Sequence, residues 1–334
     1  MIERHCSVRK TVEIVLDSWT FLIIREAFFG VHSFDKLQRR LGIPRQTLST
    51  RLAALVENGI LLQTRDGGAR ANGYHFTEQG RDLFASMLSL MEFGDKWLTG
   101  GEPVPLSLTH TACGHTCHPI TACSECLDPI NSREVTYRDG PGAGYSEYEV
   151  KLKSRRSSDA TLWERVRPCS VARTLQIIGD RWSFLIMREA WFGVRRFDEM
   201  TEKLGIASNI LTDRLARLVD TGIFRKNAYR KGGNRFDYRF TEMGHDLYRP
   251  MVVMMAWGDR WLAGAKPPLR LRHRCCKSDF DAVVVCNHCR EPIAANNSTY
   301  ATNYEIDGLT KGMAAREFTR GAPISQRTGR RLGS

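Results

Sequence analysis

The chain contains one long segment twice, and this repeat constrains the fold more than any other feature. Residues 19–37 read WTFLIIREAFFGVHSFDKL and residues 182–200 read WSFLIMREAWFGVRRFDEM, with 12 of the 19 positions identical. The same offset of 163 positions relates a His/Cys cluster at 110–126 to another at 273–289. A period this long exceeds that of solenoid repeats and indicates a duplicated domain.

Length and composition predict a cytoplasmic protein with two domains. A chain of 334 residues can build two hydrophobic cores. It has no apolar run long enough to cross a bilayer, and its first residues lack the apolar segment of a secretory signal, so we expect no membrane partner. Ten cysteines in such a chain favour metal ligation or redox chemistry over structural disulfides.

Charge is divided unequally between the two halves. Residues 1–150 carry 15 Lys and Arg against 18 Asp and Glu, a net charge of −3. Residues 151–334 carry 34 against 19, a net charge of +15. A basic half of this size predicts a polyanionic partner, the alternative being a solvated basic surface without one.

Each copy has the element order of a winged helix-turn-helix. In the first copy, the spacing of apolar residues predicts helices over 7–17, 19–29, 34–41 and 44–58, strands that include 60–62 and 74–76, and a long helix over 77–98. Ser33 and Thr77 are the expected N-caps and Gly42 is an expected helix stop. In the second copy, Pro250 should kink the long helix or lie beside a break in it.

The predicted fold class is therefore mainly α with small β-hairpins (α+β). It comprises two winged helix-turn-helix domains, each followed by a small zinc-binding module. The expected divisions are domain 1 at 1–102, zinc module 1 at 103–131, a linker at 132–166, domain 2 at 167–266, zinc module 2 at 267–295 and a basic, disordered tail at 296–334.

The combined pattern resembles the HxlR-type transcriptional regulators, winged-helix proteins related to the MarR group. The residues that carry the resemblance are Cys6-Ser7-Val8, the segment 19–26, Gly30, Phe34, Leu37, Leu48, Arg51, Leu52, Leu55, Gly59, Tyr74, Phe76, Thr77, Glu78 and Gly80, and their counterparts from Cys169 to Gly244. Such proteins usually hold one domain and pair through their terminal helices. The resemblance thus implies an intramolecular, dimer-like unit of the two repeats that binds double-stranded DNA. It leaves a further homodimer and the small-molecule effector open.

One helix of each copy is expected to enter a DNA major groove. If Leu48, Leu52 and Leu55 face the core, the outward positions of the first helix are Arg45, Gln46, Ser49 and Thr50. The outward candidates of the second are Ser208, Asn209 and Thr212, with Asp213 beside them. Because these sets differ, we expect the two helices to read different sequences. Arg51 and Arg214 are expected to contact either DNA or an internal carboxylate.

The hairpin loops, or wings, supply candidate phosphate contacts. The first has Arg65 and Arg70, whereas the second has the denser set Arg225, Lys226, Arg230, Lys231 and Arg235. Phosphate contacts fix position without carrying sequence information. The second wing is therefore expected to supply more of the non-specific affinity.

The cluster after each domain has the donor types of a closed zinc site. The first copy offers His110, Cys113, Cys123 and Cys126, and the second offers His273, Cys276, Cys286 and Cys289. Each group of four is expected to bind one structural zinc ion, which gives two per chain. The alternatives are disulfides or idle thiols, Cys275 in place of Cys276, and His115, Cys117 or His118 as substitute ligands in the first copy.

Cys6 and Cys169 stand apart from the clusters as candidate redox sensors, because some proteins of the resembled family sense electrophiles or oxidants through an early cysteine. The alternative is that each is a small buried apolar residue. The sequence has no nucleophile–base pair or phosphate loop, so we predict a regulator and no enzyme. Competing hypotheses are a redox- or metal-responsive sensor acting through a protein partner, and an RNA-binding adaptor.

Overall fold

The computed structural model describes residues 2–15, 17–64, 73–147, 164, 167–178, 180–228, 236–264, 266–304 and 316–317. Its first winged-helix domain follows the predicted order of elements. The helices are α1 (Ser7–Val15), α2 (Ser18–Phe28), α3 (Phe34–Leu41), α4 (Arg45–Glu57) and α5 (Glu78–Trp97), and the hairpin strands are β2 (Leu61–Thr64) and β3 (Gly73–Phe76), preceded by β1 (Ile2–Arg4).

The predicted helix boundaries of this domain are confirmed by their caps. The Ser33 hydroxyl accepts a hydrogen bond from the Lys36 amide at 3.3 Å, and Thr77 accepts one from Gly80 at 3.0 Å. Gly42 ends α3 with φ of 58°, a left-handed conformation that favours glycine. The turn between α3 and α4 is thereby fixed, and it sets the angle at which α4 is presented.

The second repeat builds the same domain. Its elements are α6 (Ser170–Ile178), α7 (Arg181–Trp191), α8 (Phe197–Leu204), α9 (Ser208–Asp220), β9 (Phe224–Ala228), β10 (Phe236–Phe240), α10 (Glu242–Asp246) and α11 (Tyr248–Leu262). The long helix is interrupted at Leu247, three residues before Pro250, as the proline predicts. Two winged helix-turn-helix domains therefore follow one another in the chain.

The long helices of the two repeats contact each other through reciprocal hydrogen bonds. The Trp97 indole Nε1 donates to Asp246 at 3.0 Å, and the Trp261 indole Nε1 donates to Asp82 at 2.8 Å. Lys96 and Arg260, each one residue before these tryptophans, pair with the same two carboxylates at 2.6 and 2.9 Å. The contacts on one side of the interface are repeated on the other, as in a twofold dimer.

The first helix of each repeat also packs against the long helix of the other repeat. The Thr11 hydroxyl of α1 donates to the Met254 carbonyl of α11 at 3.0 Å, and Thr174 of α6 donates to the Leu90 carbonyl of α5 at 2.8 Å. A Cβ at Gly94 would lie 2.3 Å from the Ser170 carbonyl oxygen, so only glycine permits this close crossing. A Cβ at Gly258 would likewise lie 2.7 Å from the Ser7 carbonyl oxygen.

Strands after each domain are exchanged as well. The first repeat provides β4 (Leu106–His110), β5 (His115–Cys117), β6 (Pro119–Cys123), β7 (Val135–Asp139) and β8 (Tyr145–Glu147), and the second provides β11 (Leu269–His273), β12 (Asp279–Phe280), β13 (Ala282–Cys286), β14 (Ser298–Thr302) and β15 (Arg316–Glu317). Between repeats, β4 pairs with β14, β7 with β11 and β6 with β13, all antiparallel.

This exchange corrects the expected linker and tail. The segment 132–166 begins with a 3-10 turn at Ser132–Glu134 and then β7 and β8, and β8 pairs with β1. The segment 296–334 begins with β14, which lies between β4 and β15. Both segments are ordered where described because each adds a strand to the module of the opposite repeat. The rest of the tail lies largely outside the described residues, as does most of 148–166. In the described part of the chain, no helix has the length and apolar character needed to cross a bilayer.

Candidate metal centres and nucleic-acid interface

The second helix of each helix-turn-helix, α4 or α9, has the predicted exposed polar face. In α4, Leu48, Leu52 and Leu55 are buried. In α9, Leu211, Leu215 and Leu218 are buried in the same way. The outward side chains predicted for these helices are all exposed, namely Arg45, Gln46, Ser49, Thr50, Ser208, Asn209, Thr212 and Asp213. Each copy thus offers an exposed polar helix face of the kind that reads base edges.

Arg51 and Arg214 each form an ion pair with a carboxylate of their own domain, which was one of the two contacts expected for them. Arg51 pairs with Asp17 at 2.9 Å, and Arg214 pairs with Asp180 at 2.9 Å. The two aspartates also cap α2 and α7 by accepting backbone N–H bonds from Thr20 and from Ser183. Each pair therefore ties the reading helix to the start of the preceding core helix. The aspartates were not predicted, although they share the 163-residue offset of the arginines.

The Arg45 side chain packs against the aromatic ring of Phe34. Its guanidinium lies 5.0 Å from the centre of the Phe34 ring at the start of α3, a cation–π distance. Ser208 occupies the equivalent position in the second repeat and has no cationic group. The two reading helices therefore begin with different chemistry.

The basic wings are described in part. Arg65 and Arg70 of the first wing, and Arg230, Lys231 and Arg235 of the second, lie outside the described residues. Arg225 and Lys226 on β9 are exposed, and the Lys226 ammonium lies 3.8 Å from the centre of the Phe236 ring. The base of the second hairpin is thus positively charged.

The eight predicted metal ligands form two groups, but the groups are not those expected. One contains His110, Cys113, Cys286 and Cys289, and the other contains Cys123, Cys126, His273 and Cys276. Within each group, one potential ligand atom per residue lies within 4.8 Å of every other. The prediction of one complete site in each repeat is therefore wrong, because each group takes two ligands from either repeat.

The antiparallel pairing of β6 with β13 explains this exchange. Cys123 at the end of β6 lies opposite Ala282 at the start of β13, and Cys286 at the end of β13 lies opposite Pro119 at the start of β6. The turn that carries His273 and Cys276 leads through β12 into β13. It therefore meets the end of β6, not the end of its own strand. The same holds for His110 and Cys113 at the other end.

The distances between donor atoms fit a tetrahedral zinc ion. In the first group, Cys289 Sγ lies 3.2 Å and Cys113 Sγ 3.7 Å from His110 Nδ1. In the second, Cys126 Sγ and Cys276 Sγ lie 3.3 and 3.9 Å from His273 Nδ1. Zn–S bonds of about 2.3 Å and Zn–N bonds of about 2.0 Å imply tetrahedral edges of roughly 3.5–3.8 Å.

All four ligand turns share one backbone geometry. The residue after the second ligand of each turn is in the left-handed region, with φ of 72° at Gly114, 59° at Leu127, 58° at Lys277 and 61° at Arg290. Its amide donates to the carbonyl of the first ligand residue, as from Leu127 to Cys123 at 3.0 Å. Non-glycine residues rarely adopt this conformation. Its recurrence at three of them indicates turns shaped to hold their donors.

The alternative ligands lie beside these groups, with Cys275 near Cys126 and Asp128, and Cys117 next to Cys286. Cys276 is in the second group, whereas Cys275 is exposed and its thiol lies 3.2 Å from Asp128 Oδ2. Cys117 is buried outside both groups of four, and burial raises the pKa of its thiol to about 12. The His115 ring stacks on His288 at 4.7 Å. The donor set of the first group is thus completed by the second repeat and not by these residues.

A buried ionic cluster was not anticipated. The Glu26 carboxylate is fully buried and is paired with Arg25, Arg40 and Arg167 at 3.1, 2.8 and 2.8 Å. Arg167 lies three residues before α6 of the second repeat, and its guanidinium is 4.0 Å from the centre of the Phe29 ring. The cluster therefore ties the first domain to the entry of the second. Its signal in the sequence was the Arg-Glu pair present in both copies of the repeat.

Two helix-turn-helix units with exposed polar helices are the architecture of DNA-binding transcriptional regulators. The HxlR-like helix-turn-helix family model matches residues 14–102 and 177–266, together more than half of the chain. The chain therefore belongs to the HxlR-like helix-turn-helix family, which it carries as a tandem duplication.

Individual relatives match a shorter segment. An uncharacterised HTH-type transcriptional regulator of Mycobacterium tuberculosis, Rv3095, is 45% identical over 131 residues, or 39% of this chain and 83% of that protein. The HTH-type transcriptional regulator YodB of Bacillus subtilis is 30% identical over 86 residues, or 25% of this chain and 77% of YodB. The solved structure of PA1607, a candidate transcription factor, covers 39% of this chain and 91% of its own, with 35% identity and a TM-score of 0.35.

Proposed function

We propose that the protein is a sequence-specific regulator whose two winged-helix domains bind one double-stranded DNA site as an intramolecular dimer-like unit. The observation that carries this proposal is the reciprocal interface of α5 with α10 and α11, where Trp97 and Trp261 each bond a carboxylate of the other repeat. Twofold HTH dimers place their reading helices in successive major grooves, about 10 base pairs apart. In this chain one polypeptide supplies both helices.

The two helices are proposed to read different half-sites. Arg45 and Gln46 have the donors that suit guanine and adenine, whereas the second helix presents Ser208, Asn209 and the carboxylate of Asp213. A carboxylate beside phosphates is repelled, and it accepts hydrogen bonds from cytosine. The preferred operator is therefore an imperfect palindrome or a non-palindromic sequence.

Zinc is proposed as a structural component, with two ions per chain. The three thiols and one imidazole of each group suit this borderline-soft ion, and four protein ligands close its tetrahedral coordination. A closed site leaves no position for a reacting water molecule. Because each site takes ligands from both repeats, bound zinc would hold the repeats in one relative orientation.

The experiment is selection of binding sites from random duplexes, followed by measurement of the mass of the complex. We expect one chain per selected duplex and two dissimilar half-sites about one helical turn apart. A perfect palindrome bound only by two chains would overturn the intramolecular version. A matched single-stranded DNA or RNA of the selected sequence is the control, and preference for it would favour an RNA-binding adaptor.

The bridging metal sites favour a second candidate, a metal- or redox-responsive sensor. Loss of an ion would release ligands of both repeats at once and so loosen the unit that carries the reading helices. Cys6 and Cys169 are the further candidates for such sensing, and a protein partner could receive the signal. Unchanged affinity for the selected duplex after complete zinc removal would reject the metal-responsive form.

A further inference from the structure

The second metal group has two further potential donors beside it. Cys275 immediately precedes the group member Cys276, and Asp128 lies two residues after the group member Cys126. Cys275 Sγ is 3.2 Å from Asp128 Oδ2, and the donor atoms of Cys275, Asp128 and Cys126 all lie within 4.8 Å of one another. Two of these three residues are outside the group of four, so the set has a chemistry that a closed structural site does not explain.

The ligand turns position both extra donors. The Asp128 carbonyl accepts a hydrogen bond from the Cys123 amide at 3.0 Å, at the end of the first turn. Cys275 lies inside the other turn, where the Lys277 amide donates to the His273 carbonyl at 2.8 Å. The backbone that holds the four donors of the group therefore also holds these two residues. A ligand that contacts both needs to order no additional loop, which lowers the cost of binding.

The three donors suit a thiophilic divalent ion. Two sulfurs and one carboxylate oxygen are ligands that zinc accepts, with bonds of about 2.3 Å to sulfur and about 2.1 Å to oxygen. Such bonds imply tetrahedral edges of roughly 3.6–3.8 Å, close to the separations in this set. A thiolate sulfur has enough lone pairs to bridge two ions. Cys126 can therefore bind a further ion while it remains a ligand of the second group.

Charge also favours a further cation at this place. Three thiolates, a neutral imidazole and one Zn²⁺ would leave the second group with one net negative charge. The Asp128 carboxylate adds another beside it, and opposite charges at such short range attract one another. Thiols bind metal as thiolates, so an ion at Cys275 displaces the proton of this thiol into solvent.

The first group has no such set. Ala112 stands at the position of Cys275 and offers no donor atom, and Glu291 stands at the position of Asp128. The extra thiol near the first group, Cys117, is buried at the end of a strand. In the described part of the chain, no comparable set of three donors lies beside the first group. The two repeats therefore differ, and the difference predicts one additional ion per chain.

We propose that Cys126, Asp128 and Cys275 form a third metal site, which binds an exchangeable Zn²⁺ ion and shares the Cys126 thiolate with the structural zinc. Cys126 is half-buried and the other two residues are exposed, and three protein ligands leave a fourth position for water. With fewer ligands and open access, this site binds more weakly than the closed ones. The purified protein therefore retains two ions, and occupancy of the third follows the concentration of free zinc.

The ion would join a turn of the first repeat to a turn of the second, as the structural ions do. The shared thiolate and any role in sensing zinc rest on the proposed function. The binding itself rests on the three donors and is measured without DNA.

The first test measures protection of a thiol in the full, unmodified chain. Cys275 is the one exposed cysteine among the ten, all of which are described, so iodoacetamide should alkylate it readily. We expect Zn²⁺ to suppress this alkylation, located by mass spectrometry of peptides, and Mg²⁺, which prefers oxygen ligands, to leave it unchanged. Free zinc is raised to about 100 µM, enough to saturate a site with a dissociation constant of about 1 µM. A Cys275 thiol that is unreactive before zinc is added, or equally reactive at every zinc concentration, would overturn the proposal.

The second test counts ions by equilibrium dialysis in the same zinc buffers. The unmodified chain should rise from two ions to three, and Cys275→Ser and Asp128→Ala should each stay at two. Glu291→Ala is the matched control beside the first group and should still reach three. A third ion that persists in Cys275→Ser is adventitious and would overturn the proposal. The ions retained before zinc is added test the structural sites, so failure of those sites is distinguishable from failure of this one.

Discussion

Thr121 and Val284 face each other at the centre of the β6–β13 pair, and they occupy the same position in the two repeats. A residue that pairs with its own counterpart in an antiparallel ladder lies on the twofold axis relating the two strands. The axis of the duplicated chain thus passes between these residues. The two metal groups lie at opposite ends of the same pair of strands.

The grouping of metal ligands can be tested by counting ions in two double variants. Cys113→Ser with Cys286→Ser removes two ligands from one exchanged site, so we expect one zinc ion per chain to remain. Cys113→Ser with Cys123→Ser damages both exchanged sites, so we expect none. Elemental analysis of the purified proteins checks this. The reverse result would restore the within-repeat grouping, and absence of zinc from the unmodified protein would reject zinc altogether.

The two reading helices should respond differently to truncation. Arg45→Ala should weaken binding to the selected duplex by about 1–3 kcal/mol and leave random duplex nearly unchanged, because a base contact is lost. Ser208→Ala at the equivalent position is the matched control, with a smaller expected loss. Fluorescence anisotropy on both duplexes measures the difference. Equal weakening of both duplexes by Arg45→Ala would assign this arginine to phosphate contact.

The second wing should supply affinity that depends on salt. Changing Arg230, Lys231 and Arg235 together to Ala should weaken binding to every duplex. It should also flatten the slope of log affinity against log salt by roughly one unit per lost phosphate contact. Salt titrations of the variant and the unmodified protein check this. An unchanged slope would place these side chains away from the DNA.

The buried Glu26 cluster should be a major source of stability. Glu26→Gln leaves three arginines around a neutral amide, and we expect a loss of about 3–5 kcal/mol in the free energy of unfolding. Glu189→Gln at the equivalent position should have a smaller effect, since among the described residues Arg188 is the guanidinium paired with Glu189. Urea unfolding measures both. Similar losses would show that the extra arginines of the first repeat contribute little.

Two carboxyls at the helix crossings should make stability depend on pH. Burial raises the pKa of Asp95 and of Asp259 from 3.8 to about 6. The folded state therefore holds more protons than the unfolded state between about pH 4 and pH 6, so stability should fall as pH rises through that range and then level off. Asp95→Asn and Asp259→Asn should each raise the free energy of unfolding at pH 7.5 by about 1–3 kcal/mol. A gain that is as large at pH 4 would contradict this origin.

Much of the fold could be predicted because the repeat and the apolar spacing report local structure. Leu48, Leu52 and Leu55 predicted the buried face of α4, and the eight His and Cys residues that form the two groups were identified from their spacing. Their grouping could not follow, because the two copies have identical spacing and either assignment satisfies it. The strands β7 and β14 were missed because each is stabilised by the opposite repeat. The offset continues there, in Thr136-Tyr137 and Thr299-Tyr300.

The exchange of ligands also has a consequence for protein synthesis. Cys123 and Cys276 are 153 positions apart, and His110 and Cys289 are 179 positions apart. At roughly 5–20 residues per second, the earlier ligand of such a pair leaves the ribosome roughly 8–36 s before the later one. During that interval the donors already made are those of the first repeat, His110, Cys113, Cys123 and Cys126. A grouping of these four donors within the nascent repeat would have to be undone before the completed chain reached its final fold.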